Sequence, residues 1–180
     1  IALPYIVLVG RGQVFSKSIV AGGTIFLLIL SSLTFTEVQL WSNPMRQAIL
    51  WGMEKPGSMR ARAVMASMYD ATGNRKAAYH EYMRMAEDFK DSAGPLSDVM
   101  LLLCQKSTLP LLDLDVVKKK FATASFSLAP INNIILIVEA MEAGKCDGLS
   151  HEFVGEAIHA LLSNPIYTNP RLRSHLYFYL

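Results

Sequence analysis

Residues 58–89, "SMRARAVMASMYDATGNRKAAYHEYMRMAEDF", decide the fold. The stretch divides at Gly73, since a glycine after a helical run ends one helix and lets the next begin. Ser58 is placed to cap the first half and Asn74 the second, each offering a side-chain oxygen to the unpaired N–H groups of a first turn. Ala61, Met65, Met68 and Tyr69 share one face of the first half, and Ala78, Tyr82, Met85 and Phe89 share one face of the second. Two short amphipathic helices joined by a tight turn bury such stripes against each other, so an antiparallel helical hairpin is expected.

The same stretch resembles a tetratricopeptide repeat, a helix pair of about 34 residues with large and small residues at fixed offsets. Met65 stands at a large aliphatic position, Ala66 at a small one and Tyr69 at an aromatic one, while Ala78 and Tyr82 match the small and aromatic positions of the second helix. Small residues let the helices approach, and the aromatics fill the groove between neighbours. The chain departs from the pattern at Arg62, where an early Trp is usual, at Met85, where Ala is usual, and at Lys90, where a late Pro is usual.

Upstream, "SNPMRQAILWGMEKPGS" reads as a short linker helix within residues 37–57, capped by Asn43, opened by Pro44 and stopped by Lys55-Pro56-Gly57. Before it, residues 18–36, "SIVAGGTIFLLILSSLTFT", carry no charge. At about 1.5 Å per residue they cover about 28 Å, close to the ~30 Å hydrocarbon core of a bilayer, so a transmembrane helix is expected there. Gly22, Gly23, Ser31, Ser32, Thr34 and Thr36 suit helix packing in lipid, and Trp41 suits an interfacial anchor. The opening "IALPYIVLVG" is too short to span alone and reads as the tail of an earlier membrane helix. Arg11 and Lys17 then fall in a short loop, which the positive-inside rule assigns to the cytoplasm. The expectation is a multi-pass inner (cytoplasmic) membrane protein in contact with membrane lipid, its helical domain on the extracytoplasmic, periplasmic side.

Downstream of that membrane part (residues 1–36), the chain holds 15 basic and 15 acidic residues. A near-neutral surface of mixed sign lacks the clustered basic face that nucleic acid requires, and Lys118, Lys119 and Lys120 read as a solvated helix face. Further helices are marked by "PLSDVMLLLCQ", by "DLDVVKKKFATA", by "PINNIILIVEAMEAG", which ends at Gly144, and by "HEFVGEAIHALLS", capped by Ser150 and stopped at Asn164-Pro165. The apolar run 134–138 is too short to cross a bilayer and reads as core. Pro170 begins "RLRSHLYFYL", which reads as the first helix of another, incomplete hairpin. Nothing reads as a strand. The expected class is all-α: a transmembrane helix followed by an α-solenoid of tetratricopeptide-like hairpins over residues 58–180.

Chemistry is scarce. "HEFVGEAIH" starts like a zinc-protease helix, yet the fourth residue after His151 is Gly155, and His159 lies two turns away. His80 and His175 have no metal-ligating cluster around them in sequence. No phosphate-cradling loop, nucleophile elbow or spaced carboxylate pair appears, so no catalytic residue, metal or cofactor is assigned. The two cysteines, Cys104 and Cys146, form either a disulfide, which an extracytoplasmic location permits, or two separately buried thiols. A bond would close a loop worth about 4–5 kcal/mol by chain entropy. Arg62, Tyr69, Asn74 and Arg75 are the surface or groove positions singled out for partner binding.

The order of these parts resembles the C-terminal region of multi-pass envelope proteins with tetratricopeptide repeats, of the type related to protein O-mannosyltransferases and other lipid-sugar-dependent glycosyltransferases. The resemblance rests on "ALPYIVLVGR" and on "LWSNPMRQAILWGMEKPGSMRARAVMASMYDATGNRKAA", with Trp41 after the last membrane helix, Pro56 ending a short helix and Ser58 with Arg60-Ala61 opening a repeat. It implies a membrane-tethered helical-repeat module that binds a protein or peptide beside a membrane glycosyltransferase-like core, with a lipid-linked sugar as that enzyme's substrate. The catalytic acidic residues of such an enzyme would lie in earlier membrane loops. Two other classes fit the same order: the C-terminal part of an O-antigen polymerase or ligase, and a non-enzymatic envelope assembly scaffold.

Overall fold

The structure, a computed structural model, describes residues 17–105 and 109–179. The apolar segment 1–10 and Arg11 lie outside the described residues. Along the chain run α1 (Lys17–Trp41), α2 (Pro44–Glu54), α3 (Met59–Ala71), α4 (Arg75–Asp88), α5 (Gly94–Cys104), α6 (Leu114–Thr123), α7 (Ala129–Glu142), α8 (His151–Ser163) and α9 (Pro170–Phe178). No strand occurs among the described residues. The chain divides after Pro44 into two compact units.

The first unit contains α1, whose part Ala21–Trp41 is long and apolar enough to cross a membrane. The helix runs past the expected end at Thr36, through Glu37 to Trp41, because nothing breaks it before Asn43-Pro44. Two of its hydroxyls are turned inward on the backbone: Thr34 Oγ1 donates to Leu30 O at 2.9 Å and Thr36 Oγ1 to Leu33 O at 2.7 Å. A donor satisfied within its own helix needs no outside partner, as a membrane-crossing helix would require.

α2 runs from the expected Pro44 start to Glu54, just before the Lys55-Pro56-Gly57 stop, and from Met45 onward it belongs to the second unit. Gly52 lets α2 approach α3, since a Cβ there would stand 2.8 Å from Met65 Sδ. In the α3–α4 hairpin, Ser58 Oγ accepts from Ala61 N and Asn74 Oδ1 from Ala77 N, both at 3.3 Å. Ala61, Met65, Ala66, Ala78, Tyr82 and Met85 are buried, and Met68, Tyr69 and Phe89 are partly buried. Gly73, at φ +82°, closes α3 with Asn74 N donating to Tyr69 O at 2.8 Å; Gly144, at φ +63°, closes α7 with Lys145 N donating to Ala140 O at 2.8 Å. Both endings need a left-handed residue, which glycine adopts without steric penalty.

Beyond the first hairpin α4 packs on α5, after which the main contacts join alternate helices, α5 with α7 and α6 with α8, with lighter contact between α7 and α8 and of α9 with both. Helices α3, α5, α7 and α9 start at Met59, Gly94, Ala129 and Pro170, intervals of 35, 35 and 41 residues. Ser97 on α5 meets Asn133 on α7, and the end of α5 meets the loop after α7, so these two helices run parallel. Lys118 with Glu156, and Phe121 with Asn164, set α6 and α8 parallel in the same way.

The turns leading into α5, α7 and α9 are tied to one another. Ser125 donates through N (2.8 Å) and Oγ (2.6 Å) to Asp91 O, and Tyr167 Oη both accepts from Ser127 N (3.2 Å) and donates to Ser127 O (3.1 Å). Ser92 Oγ accepts from Gly94 N at 3.2 Å, and 35 residues later Ser127 Oγ accepts from Ala129 N at 3.3 Å. The core fills the space between, with Val99, Met100, Leu103, Phe121, Ile134, Ile137, Ile158 and Leu161 at most 1% exposed. Burying each such side chain contributes about 1.5–3 kcal/mol.

Cys104 and Cys146 are paired as a disulfide, with Cα atoms 4.4 Å apart, joining the end of α5 to the loop between α7 and α8. Two residues on, Gly148 lies so close to Leu103 that a Cβ would collide with its carbonyl oxygen. The loop is therefore seated on α5 by both a covalent bond and backbone contact.

Candidate functional site

The four positions singled out in the sequence do not form one site. Arg62 is 6% exposed and inside the hairpin, where its Nε donates to Glu81 and its Nη1 to Asp88, with the guanidinium carbon 5.8 Å from the centre of the Phe89 ring. Its Nη2 is buried and makes no hydrogen bond. A residue so enclosed ties α3 to α4 and is not open to a partner. Tyr69, Asn74 and Arg75 gather at the α3–α4 turn, where Asn74 acts as a cap and Tyr69 is partly buried. Arg75 reaches α5, its Nη1 donating to Gln105 O at 2.7 Å and its Nη2 to Gln105 Oε1 at 2.9 Å. Asp70 Oδ1 lies 3.4 Å from Arg75 Nε, an ion-pair distance without hydrogen-bond alignment. Arg75 thus serves the stacking of α5 on the hairpin.

A different polar group occupies the face shared by α5 and α7. Asn133 Nδ2 donates to Ser97 Oγ at 2.9 Å and to Asp98 Oδ1 at 2.7 Å, and Ser97 Oγ donates to Gly94 O at 2.7 Å. Burial pushes the Asp98 carboxyl up to about 6, although the Asn133 hydrogen bond pulls the other way. Tyr82 from α4 stands nearby; burial first, then the Asp98 and Asp70 carboxylates, push its phenol up. No basic side chain among the described residues pairs with Asp98.

A signal for this group was present in the sequence. "PLSDVMLLL" from Pro95 and "PINNIILIV" from Pro130 are the same pattern 35 residues apart, a proline and an apolar residue, two polar residues, then an apolar run. Asp98 and Asn133 hold the fifth position of α5 and α7, and Leu101 and Leu136 hold the eighth. Leu101 is partly buried and Leu136 is 49% exposed, so the row continues as an apolar strip.

Other concavities offer less. A cavity of about 140 Å³ between α7, α8 and α9 is lined by Val138, Met141 and Val154, with His151 and Tyr179 as its polar side chains. A cleft of about 340 Å³ beside the α4–α5 turn is lined by Asp88, Lys90, Asp91, Ser92 and Ser125, but both serines are already engaged in hydrogen bonds. Among the described residues no group of three His, Cys, Asp or Glu side chains is placed to hold a metal. Comparison of the chain with protein-family models, with curated proteins and with solved structures finds no match.

Proposed function

We propose that the protein is a membrane-tethered, extracytoplasmic helical-repeat module that binds a protein or peptide along the face of its successive first helices. The observation that carries this reading is the recurrence of α5 and α7, parallel, in contact, and starting 35 residues apart at Gly94 and Ala129. A stack built from such intervals is an α-solenoid of tetratricopeptide-like hairpins, and stacks of this kind expose a continuous surface to extended partners. The α3–α4 hairpin supports the same reading, with Ala61, Ala66 and Ala78 fully buried where close approach demands small residues. The Cys104–Cys146 disulfide supports the extracytoplasmic side, because such bonds persist in oxidising compartments. A multi-pass inner-membrane protein with a glycosyltransferase-like core, and with it a lipid-linked sugar, rests on the sequence resemblance.

Two measurements test the reading. A cysteine replacing exposed Lys76 should react with a membrane-impermeant maleimide in intact cells, and protection until lysis would overturn the orientation. A photo-crosslinking residue at Leu136 should give a discrete adduct with a partner, whereas one at exposed Val116 on α6 should not. Equal behaviour at the two positions would remove the binding face.

A further inference from the structure

We propose that Asp98 and Asn133 form the recognition point for a cationic side chain, lysine or arginine, of an extended peptide lying across α5 and α7. This rests on the peptide-binding reading and names the chemistry of the peptide. Asn133 spends both amide hydrogens on Ser97 and Asp98, and only its nitrogen can face the carboxylate, so its orientation is fixed. The second oxygen of Asp98 and the amide oxygen of Asn133 accept nothing from the described residues. The point is therefore acceptor-rich, negatively charged when ionised, and without a cation of its own. Asp98 is partly buried, which leaves its second oxygen within reach of a partner. A partly desolvated carboxylate lacking a counter-charge is unfavourable, and an entering ammonium or guanidinium supplies the charge and further donors.

The surroundings fit the rest of such a side chain. Leu101 and Leu136 stand three residues further along their helices, about 4.5 Å along the axis. An apolar rung beside a polar one suits the methylene stem of lysine or arginine, which packs on carbon while its head meets the acid. The carboxylates that act on the adjoining Tyr82 phenol are Asp98 itself and Asp70, and Asp70 lies at ion-pair distance from Arg75.

The test uses the full chain in lipid nanodiscs, panned against a displayed library of random dodecapeptides. Selected peptides are expected to share a lysine or arginine at one position. The best of them, resynthesised with norleucine at that position, should bind at least tenfold more weakly to the unaltered protein. Asp98→Asn keeps an oxygen for Asn133 to bond, and should abolish the positional preference while leaving the far-UV circular dichroism unchanged. Peptides selected without a basic preference, or equal binding of the norleucine peptide, overturn this proposal and leave peptide binding standing. A preference unchanged in Asp98→Asn does the same. If the library yields no binder at all, the peptide-binding reading falls and this proposal with it.

Discussion

Asn164 caps a helix that ended forty residues earlier: its Nδ2 donates to Phe121 O and to Ala124 O, each at 2.9 Å, at the C-terminal end of α6. The arrangement repeats one made on the preceding pair, where Lys120 Nζ donates to Ala86 O at 3.0 Å and Phe89 O at 3.3 Å at the end of α4. The last carbonyls of a helix have no partner of their own, and a side chain from the next pair supplies one. Asn164 is 3% exposed, so its removal leaves two carbonyls buried and unpaired. Asn164→Ala is expected to cost about 2–4 kcal/mol, and Lys120→Met, at a partly exposed site, clearly less. Thermal melts of the full chain followed by circular dichroism would read the order of the two losses, and a reversed order would refute the account.

Asp98 gives a stability term that runs against the usual acid sensitivity of proteins. Its folded value of about 6 lies above the ~3.9 of an unfolded aspartate, so the folded chain binds the extra proton. The contribution is complete below about pH 4 and is lost as pH rises through about 6. The size is about 2–3 kcal/mol. Asp98→Asn should match the unaltered protein near pH 4 and exceed it in stability at pH 7. Denaturant midpoints at the two pH values decide the matter, and a variant less stable at pH 7 would sink it.

The Cys104–Cys146 bond closes a loop with a sequence separation of 42 residues, worth about 4 kcal/mol in the chain-entropy treatment. Reduction, or the double change of both cysteines to alanine, should lower the unfolding free energy of the helical unit by about 2–4 kcal/mol. Thiol titration of the denatured, unreduced protein should find no free sulfhydryl, and finding two would reject the bond.

Much of the helix inventory could be read from the sequence because the punctuation is local. Ser58, Asn74 and Ser150 cap, Gly73 and Gly144 terminate, and Pro44, Pro95, Pro130 and Pro170 sit in first turns, all within a few residues of the helix they control. What escaped was relational. Arg62 is a charged residue on a short helix, and nothing nearby in sequence says that Glu81 and Asp88, 19 and 26 residues on, enclose it. Asp98 was hidden similarly, since its partner Asn133 lies 35 residues ahead. The pattern joining them shows only when the two proline-led helices are set 35 residues apart.

The rungs that join helices of like rank also govern how the unit comes apart. In the repeat stack proposed above, the main contacts run between neighbours, α4 with α5, α5 with α7 and α6 with α8, so rupture should travel in steps along the row and not strike everywhere at once. A fraying front entering from α9 meets the sulfur bridge between α5 and the loop after α7, which thermal motion alone does not open. On this account the bridge should act as a ratchet stop, leaving the earlier helices a preserved template on which the later ones can rewind.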